Sequence, residues 1–471
     1  MESCIRRIEE VDHAINAFCA LDFASARENA RRCEAELLGG SDAGPLAGLP
    51  LAVKDLIDAK GLPTTYGSTL FANNIATRDE AIVAMLRHAG AIVIGKTNVP
   101  EWGAGGNTRN ALHGATGNPF DTLKTAAGSS GGSAAALASG MVPLATGSDT
   151  GGSLRNPAAY CGVMAFRPSP GLIASDSRPM AWLQISQLGP MARTVDDVCL
   201  MLSCMLQADM RDPLSVILHL GGAPSRSTYA APPLVDLSSL RVATTADFGF
   251  APTEAAMSAA FQSKIAPLAS CFKSMQSAHP DCRHADEVFS VLRAVAFLGR
   301  HKTLVESNPH DIGANIKANV AEGLTYTAAD VARALSLQTE MYRSWQAFFQ
   351  DYDVILAPAM TVSPRSWREL YPAQIDGKPT KSYYHWLALA YAVTNVGHPV
   401  VALPVGRDLA GMPFGLQVIG RRGEDLKTLA VARALEAQFA GDPSTARPRP
   451  DIDALRKAPP IAAMEGFKSL E

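Results

Sequence analysis

Residues 125–162 read TAAGSSGGSAAALASGMVPLATGSDTGGSLRNPAAYCG, with six serines and eight glycines in 38 positions and few other side chains able to do chemistry. Two of the serines, Ser129 and Ser153, stand in separate Gly-Ser clusters, and one lysine, Lys54, ends an apolar run upstream. Serine is a poor nucleophile at neutral pH, so a serine enzyme needs an adjacent base and backbone N–H groups aimed at the developing oxyanion. The glycines of this stretch can supply the second need, and Lys54 the first.

Outward from this stretch, helices and strands alternate. Gly131 to Ser139 reads as a short Ala-rich helix, 142–146 (VPLAT) as a strand, and 194–207 as an amphipathic helix. Upstream, LPLAV (49–53) is an apolar run without alternation, the pattern of a short buried strand whose end projects Lys54. Asp79 is placed to cap a helix running to about His88, and Gly90 stops it before the strand AIVI (91–94). Residues 1–38 read as helix, with a second helix starting at Asp22. Beyond a Pro/Gly/Ser-bearing connection at 209–228, a strand is expected at 240–245 and helices across 253–350. Strands follow at 353–357, 399–405 and 414–420, with a last helix at 424–439 and a Pro-rich tail from Gly441 over the surface. This alternation predicts an α/β sheet covered on both faces by helices.

The whole chain, 471 residues with 47% hydrophobic and 18% charged side chains, is long enough for a sizeable core. A net charge of -3 and a pI near 6.4 remove the basic footprint of a nucleic-acid binder and point to a small, neutral or mildly polar partner. The eight cysteines form no C-x-x-C pair, and a single Cys-x-His (Cys282, His284) makes no zinc site, so free thiols and a reducing cytoplasm are expected. The N-terminal MESCIRRIEEVDH is charged where a signal peptide is apolar, and no run approaches the roughly 18 apolar residues of a membrane span.

Three motifs compete for attention. Gly90 to Thr97 satisfies G-x-x-x-x-G-K-[ST], but its middle residues are β-forming and Pro100 follows, so the anion-cradling turn leading into a helix is missing. Gly128-Ser-Ser130-Gly-Gly132 satisfies G-x-S-x-G, which would make Ser130 the nucleophile of an α/β-hydrolase-type esterase with Asp376 and His385 or His398. That motif needs a strand immediately before it, and DTLKTAA is a poor one. Ser270 to Lys273 matches S-x-x-K without the companion motifs and reads as helix surface.

The composite of Lys54, Ser129 and Ser153 remains. GSSGGSAAALASG, then GSDTGGSLRNPAAYCG, with GLPLAVKDLID upstream, closely resembles the amidase signature family of Ser-Ser-Lys hydrolases. GPLAGLP, GLPTTYGS, AIVIGKTNVPEW, GATGNPFD, LGPMARTVDD, YDVILAPAM and GLQVIG follow in the family order. The resemblance is strong over 45–200, moderate over 350–440 and slight over 210–340. It implies one α/β/α domain over 1–471 around a large, mixed, twisted sheet. The signature core would lie at about 45–200, a helical cover over the cleft at 210–350, and strands with a helix at 351–440.

The resemblance also implies roles. Ser153 would be the nucleophile, Lys54 the general base, and Ser129, after a cis peptide bond, the bridge between them. Thr150, Gly151, Gly152 and Ser153 would form the oxyanion hole, supported by Ser130, Asp149 and Arg155. Trp102, Gly103, Ala104 and Gly105 match a loop bordering the substrate cleft, and Met180 and Trp182 join them as candidates for substrate contact. Met180, Trp182, Tyr326, Tyr342, Trp345 and Tyr383 would make either an aromatic-tolerant pocket or core. Ala126-Ala127 stand where the family has Pro-Gly.

The physics beside the resemblance agrees, because desolvation lowers the pKa of a buried lysine and one hydroxyl can both donate and accept. The expected reaction is hydrolysis of a carboxamide, anilide or aryl carbamate without metal or organic cofactor, with esters as side substrates, by a monomer or homodimer. A glutamine-using subunit of a tRNA-dependent amidotransferase is the other reading the signature allows.

Overall fold

Eleven strands form one sheet in the computed structural model, which describes residues 1–219 and 225–468. In chain order they are β1 (Phe18–Leu21), β2 (Pro50–Lys54), β3 (Ile92–Thr97), β4 (Leu144–Asp149), β5 (Met164–Arg167), β6 (Gln187–Ala192), β7 (Arg241–Thr244), β8 (Ser274–Ser277), β9 (Val354–Pro358), β10 (Val400–Arg407) and β11 (Pro413–Ile419). Across the sheet the order is β1-β3-β2-β4-β6-β5-β10-β11-β9-β7-β8. β3, β2 and β4 run parallel, as do β9, β7 and β8, and antiparallel pairs join the two groups. The expected large mixed sheet is the observed one.

Alternation along a central strand sends its side chains to two apolar layers. On β2, Leu51 and Val53 enter one core cluster and Ala52 the other. Lys54, two residues beyond Ala52, shares its face, where helix Gly131–Ala138 buries Ala134, Ala135 and Ala136 in the same layer. That helix approaches closely: a Cβ on Gly132 would lie 2.5 Å from Ala17 O and from Asn98 N, so no larger residue fits. Sequence and packing together therefore bring the serine loop against the end of β2.

Several expectations need correction. Residues 18–21 are strand, not helix: Asn16 leaves the first helix in the left-handed region (φ 58), and the four-residue run pairs antiparallel with β3. Asp79 does not cap the helix Ala81–His88, whose first flanking residue is Glu80; the Asp79 carboxylate accepts instead from the Lys60 N–H at 2.7 Å. Ser274–Ser277, within the stretch read as helical, is the edge strand β8. In the 209–228 connection, helices occupy Pro213–His219 and Arg226–Ala230, and residues 220–224 lie outside the described residues. The tail carries a short helix, Ile452–Lys457, and buries Ile461 and Phe467 beside Trp367. No described helix is long and apolar enough to cross a membrane, and all eight cysteines are free.

Two of the decoys resolve as read. Gly95, Lys96 and Thr97 are inside β3, and Lys96 is fully buried against Asp55 at 3.2 Å, so no phosphate-cradling turn exists there. Ser270 and Lys273 are exposed around the end of a 3-10 turn. Before Ser130, residues Asp121–Thr125 do form a strand, contrary to expectation, but it belongs to a two-stranded ribbon outside the central sheet.

Candidate active site

The end of β2 places the Lys54 amine under the serine loop. Lys54 is fully buried, and its Nζ lies 2.8 Å from Ser129 Oγ, 2.8 Å from Ser130 Oγ and 2.9 Å from Ser148 Oγ, with Ser148 O at 3.4 Å. Among the described residues no carboxylate pairs with it. Burial pulls the amine from 10.5 down to about 7, against a weaker upward pull from the Asp149 charge. The Lys54 N–H is itself fixed by Thr146 Oγ1 at 2.9 Å, which pins the strand end to β4.

Ser129 follows a cis peptide bond from Gly128. Ala127, in the position of the family glycine, takes the left-handed conformation at φ 58, a cost of about 1–2 kcal/mol for a residue with a Cβ. Ser130 is fully buried, and its N–H donates to Ser153 O at 3.2 Å, tying the two serine loops together. It does not meet the histidines an esterase triad would require. His398 is bonded to Gly420 O and Gln346, His385 to the Lys381 N–H, and Asp376 accepts from the Ala255 N–H.

The second serine loop is held from below by an ion cluster. Arg155 forms a two-pronged pair with Asp149, Nε to Oδ2 and Nη2 to Oδ1, both at 2.9 Å. Its remaining donors reach Ala390 O, Gln417 Oε1 and Thr394 Oγ1. Arg167 adds a second buried guanidinium on Asp149, at 3.1 Å from Oδ1 and in contact with the Asp149 carbonyl. Burial alone would raise the Asp149 carboxyl, but the two arginines outweigh it and hold it well below the usual carboxylate range. Arg167 Nε is buried without a partner, and removing any member of such a cluster would leave an uncompensated buried charge.

Asp149 in turn shapes the loop by accepting from the Gly152 N–H at 2.9 Å and the Leu154 N–H at 3.2 Å. Gly152 has φ 111, and a Cβ there would lie 2.5 Å from the Asn156 side chain, so glycine is required. The Gly152 amide is thus committed to Asp149, a correction to the four-donor expectation. Thr150, Gly151 and Ser153 are the amides left at the mouth of the loop.

Ser129, Ser148, Thr150, Gly151 and Ser153 open into one cleft. Its other walls combine apolar and aromatic side chains, Leu56, Trp102, Met180, Leu183, Phe289 and Tyr383 among them, with the charged side chains of Glu80, Arg178, Arg293 and Arg300. Gly103 and Gly105 line it as expected, whereas Ala104 turns away to pack against Ile312 and Ile316. Trp102 both borders the cleft and stacks on Tyr66, ring centroids 4.1 Å apart. Trp182 is 75% exposed and outside the cleft, a further correction. Of the tyrosine and tryptophan candidates for an aromatic pocket, Tyr383 alone reaches the cleft. Trp345 is core against Phe248, Tyr342 lies under Arg422, and Tyr326 bonds Glu322.

Sequence reading missed Ser148, Arg167, Phe289 and Arg293. Ser148 sits in the quoted stretch, three residues before the GGS cluster. The others are joined to the site only by folding. Elsewhere, Cys19, Asp55 and His113 bring possible metal-ligand atoms within 4.8 Å of one another. Each is engaged: Cys19 Sγ donates to Lys96 O, Asp55 accepts from Lys96 and Thr65, and His113 Nε2 meets Thr65 Oγ1 at 3.0 Å. They form a closed hydrogen-bonded network.

The sheet, the lysine beneath two serine loops and the apolar cleft define an amidase-type hydrolase. The chain belongs to the amidase family, whose model matches residues 1–429. An acylamidase of Rhodococcus erythropolis is 32% identical over 439 residues, covering 93% of this chain and 91% of that protein. A glutamyl-tRNA(Gln) amidotransferase subunit of Alkaliphilus metalliredigens is also 32% identical, over 471 residues, covering 93% and 92%. The crystal structure of a bacterial aryl acylamidase of the amidase signature enzymes superposes with a TM-score of 0.85 at 26% identity, covering 94% of each chain.

Proposed function

We propose that this chain hydrolyses an amide, anilide or aryl carbamate through an acyl-enzyme on Ser153, with Lys54 as base and Ser129 as proton bridge. The observation that carries the reading is the Lys54 amine, buried, drawn to about 7, and bonded to hydroxyls rather than to a carboxylate. As an uncharged base it takes the Ser129 proton while Ser129 takes that of Ser153, whose oxygen attacks the carbonyl. Negative charge developing on the carbonyl oxygen is met by the free amides of the Thr150–Ser153 loop. The proton returns along the same path to the departing nitrogen, and water then releases the acid. Esters pass through the same intermediate with a better leaving group and are side substrates.

The apolar and aromatic wall formed by Leu56, Trp102, Met180, Leu183 and Phe289 supports an acyl or aryl group beside the reaction centre. The experiment is a hydrolysis screen with purified chain alone, covering aliphatic amides, 4-nitroanilides, aryl carbamates and glutamine. Turnover of anilides without a partner supports the reading. Ammonia release from glutamine alone, with anilides untouched, overturns it.

Because protonated Lys54 cannot accept, kcat/KM rises with pH through an apparent pKa of about 7, from the inactive ammonium below to the free amine above. Glu80, also in the cleft and pushed by burial to about 7, is the competing titration; the limb persists in Glu80→Gln if Lys54 is its source. Ser129→Ala lowers kcat by about 100- to 1000-fold rather than abolishing it, since water can replace one hydroxyl in a relay. A rate within a few-fold of the parent would remove Ser129 from the proton path.

A further inference from the structure

One wall of the cleft is a single face of helix Ala285–Ser307, with Phe289, Arg293, Phe297 and Arg300 among its lining residues. Phe289 meets the nucleophile loop directly: a Cβ on Gly151 would lie 2.8 Å from its ring. Arg293 is one helical turn further along, about 5–6 Å away on the same face.

Arg293 is unusual for a buried cation. It is 6% exposed, yet no described residue gives it a hydrogen bond or an ion pair, and its Nη1 is wholly buried without a partner. Three rings hold it instead, with the guanidinium carbon 4.6 Å from the centroid of Phe297 and 4.7 Å from those of Tyr383 and Tyr384. Glu322 acts on it only at longer range, since that carboxylate accepts from the Tyr384 and Tyr326 hydroxyls. Glu80 accepts from Ser177 Oγ at 2.7 Å, so the cleft's own acid is engaged elsewhere. Burial lowers the guanidinium to about 10, leaving it charged at neutral pH. A buried charge with unmatched donors is costly, and a planar guanidinium fork matches a carboxylate with two parallel hydrogen bonds.

We propose that Arg293 is a specificity-determining residue that binds a carboxylate of the substrate, making the preferred substrate an acidic amide with its carboxylate a short spacer from the scissile carbonyl. This replaces the neutral partner suggested by the overall charge, because the local field of the cleft, not the net charge, selects the ligand. The inference rests on the Ser153 loop being the reaction centre.

The test compares paired anilides: glutaryl- against pentanoyl-4-nitroanilide, which differ by carboxylate for methyl on the acyl side, and acetyl-3-carboxy-4-nitroanilide against acetyl-4-nitroanilide on the amine side. The wild-type enzyme favours the acidic member of at least one pair by about 10- to 100-fold in kcat/KM, the range of a charged hydrogen-bonded contact. In Arg293→Gln the ratio falls to near unity, and Arg293→Lys restores part of it. No preference in the wild type, or a preference unchanged in Arg293→Gln, overturns the assignment, as does an equal loss on both members of the pair. Binding is read separately in Ser153→Ala by the thermal shift that each acidic anilide produces and Arg293→Gln removes. Should the wild type cleave none of the anilides, the hydrolytic reading fails while this binding still decides Arg293: a shift that depends on Arg293 upholds it, and no shift sinks it.

Discussion

Ser153→Ala is expected to lower kcat by about 10^5- to 10^6-fold, the scale at which removing a serine nucleophile disables a hydrolase. The side chain lines the cleft at the tip of a loop whose backbone is fixed by Asp149, so replacing the hydroxyl by hydrogen leaves the scaffold in place. The variant should therefore keep the thermal midpoint of the parent within a few degrees while losing turnover. Intact-mass analysis of the wild type with a slow aryl carbamate should show the added acyl group, mapped by digestion to the peptide carrying Ser153, and none in the variant. Labelling at Ser129 or Ser130 instead would reassign the nucleophile.

Lys54→Ala is expected to lower kcat by about 1000- to 10,000-fold, the upper range for loss of a positioned general base. Ser129 then has no basic acceptor, because its 2.8 Å partner is gone and no other base is among its hydrogen-bond partners. The effect should be as large in Lys54→Met, which refills the volume left by the alkyl chain and separates chemistry from packing. A circular-dichroism spectrum and midpoint close to the parent establish folding. Retention of most activity at pH 7 in either variant would rule out the proton path.

Much of this site was legible because the signals were local. An apolar run between a glycine loop and a charged pair defined β2, and β2 fixes where Lys54 points. The Gly-Ser clusters stood out by composition, and their glycines prove to be sites where backbone or side chains approach too closely for a Cβ, at Gly132 and Gly152. What escaped was set by tertiary contact. Phe18–Leu21 is too short and too closely flanked by helices to show a strand period, and its identity comes from pairing with β3. Arg167 belongs to the site only because β5 lies two strands from β4, with β6 between them, and points its guanidinium at Asp149. Asp79 has the chemistry of a cap, yet the Lys60 N–H takes its carboxylate. Trp182 and Met180 are near neighbours of the same loop, and only the fold decides that Met180 faces the cleft while Trp182 faces solvent.

In the proposed mechanism Lys54 is an uncharged amine at the pH where the enzyme works. Its ionisation can be followed directly by the ¹³C shift of the lysine ε-carbons in Ser153→Ala protein, with the Lys54 signal assigned by its absence from a Lys54→Met counterpart. A midpoint of about 7 is expected, because desolvation at this site lowers the amine. A midpoint at the ordinary lysine value of 10.5 would contradict it.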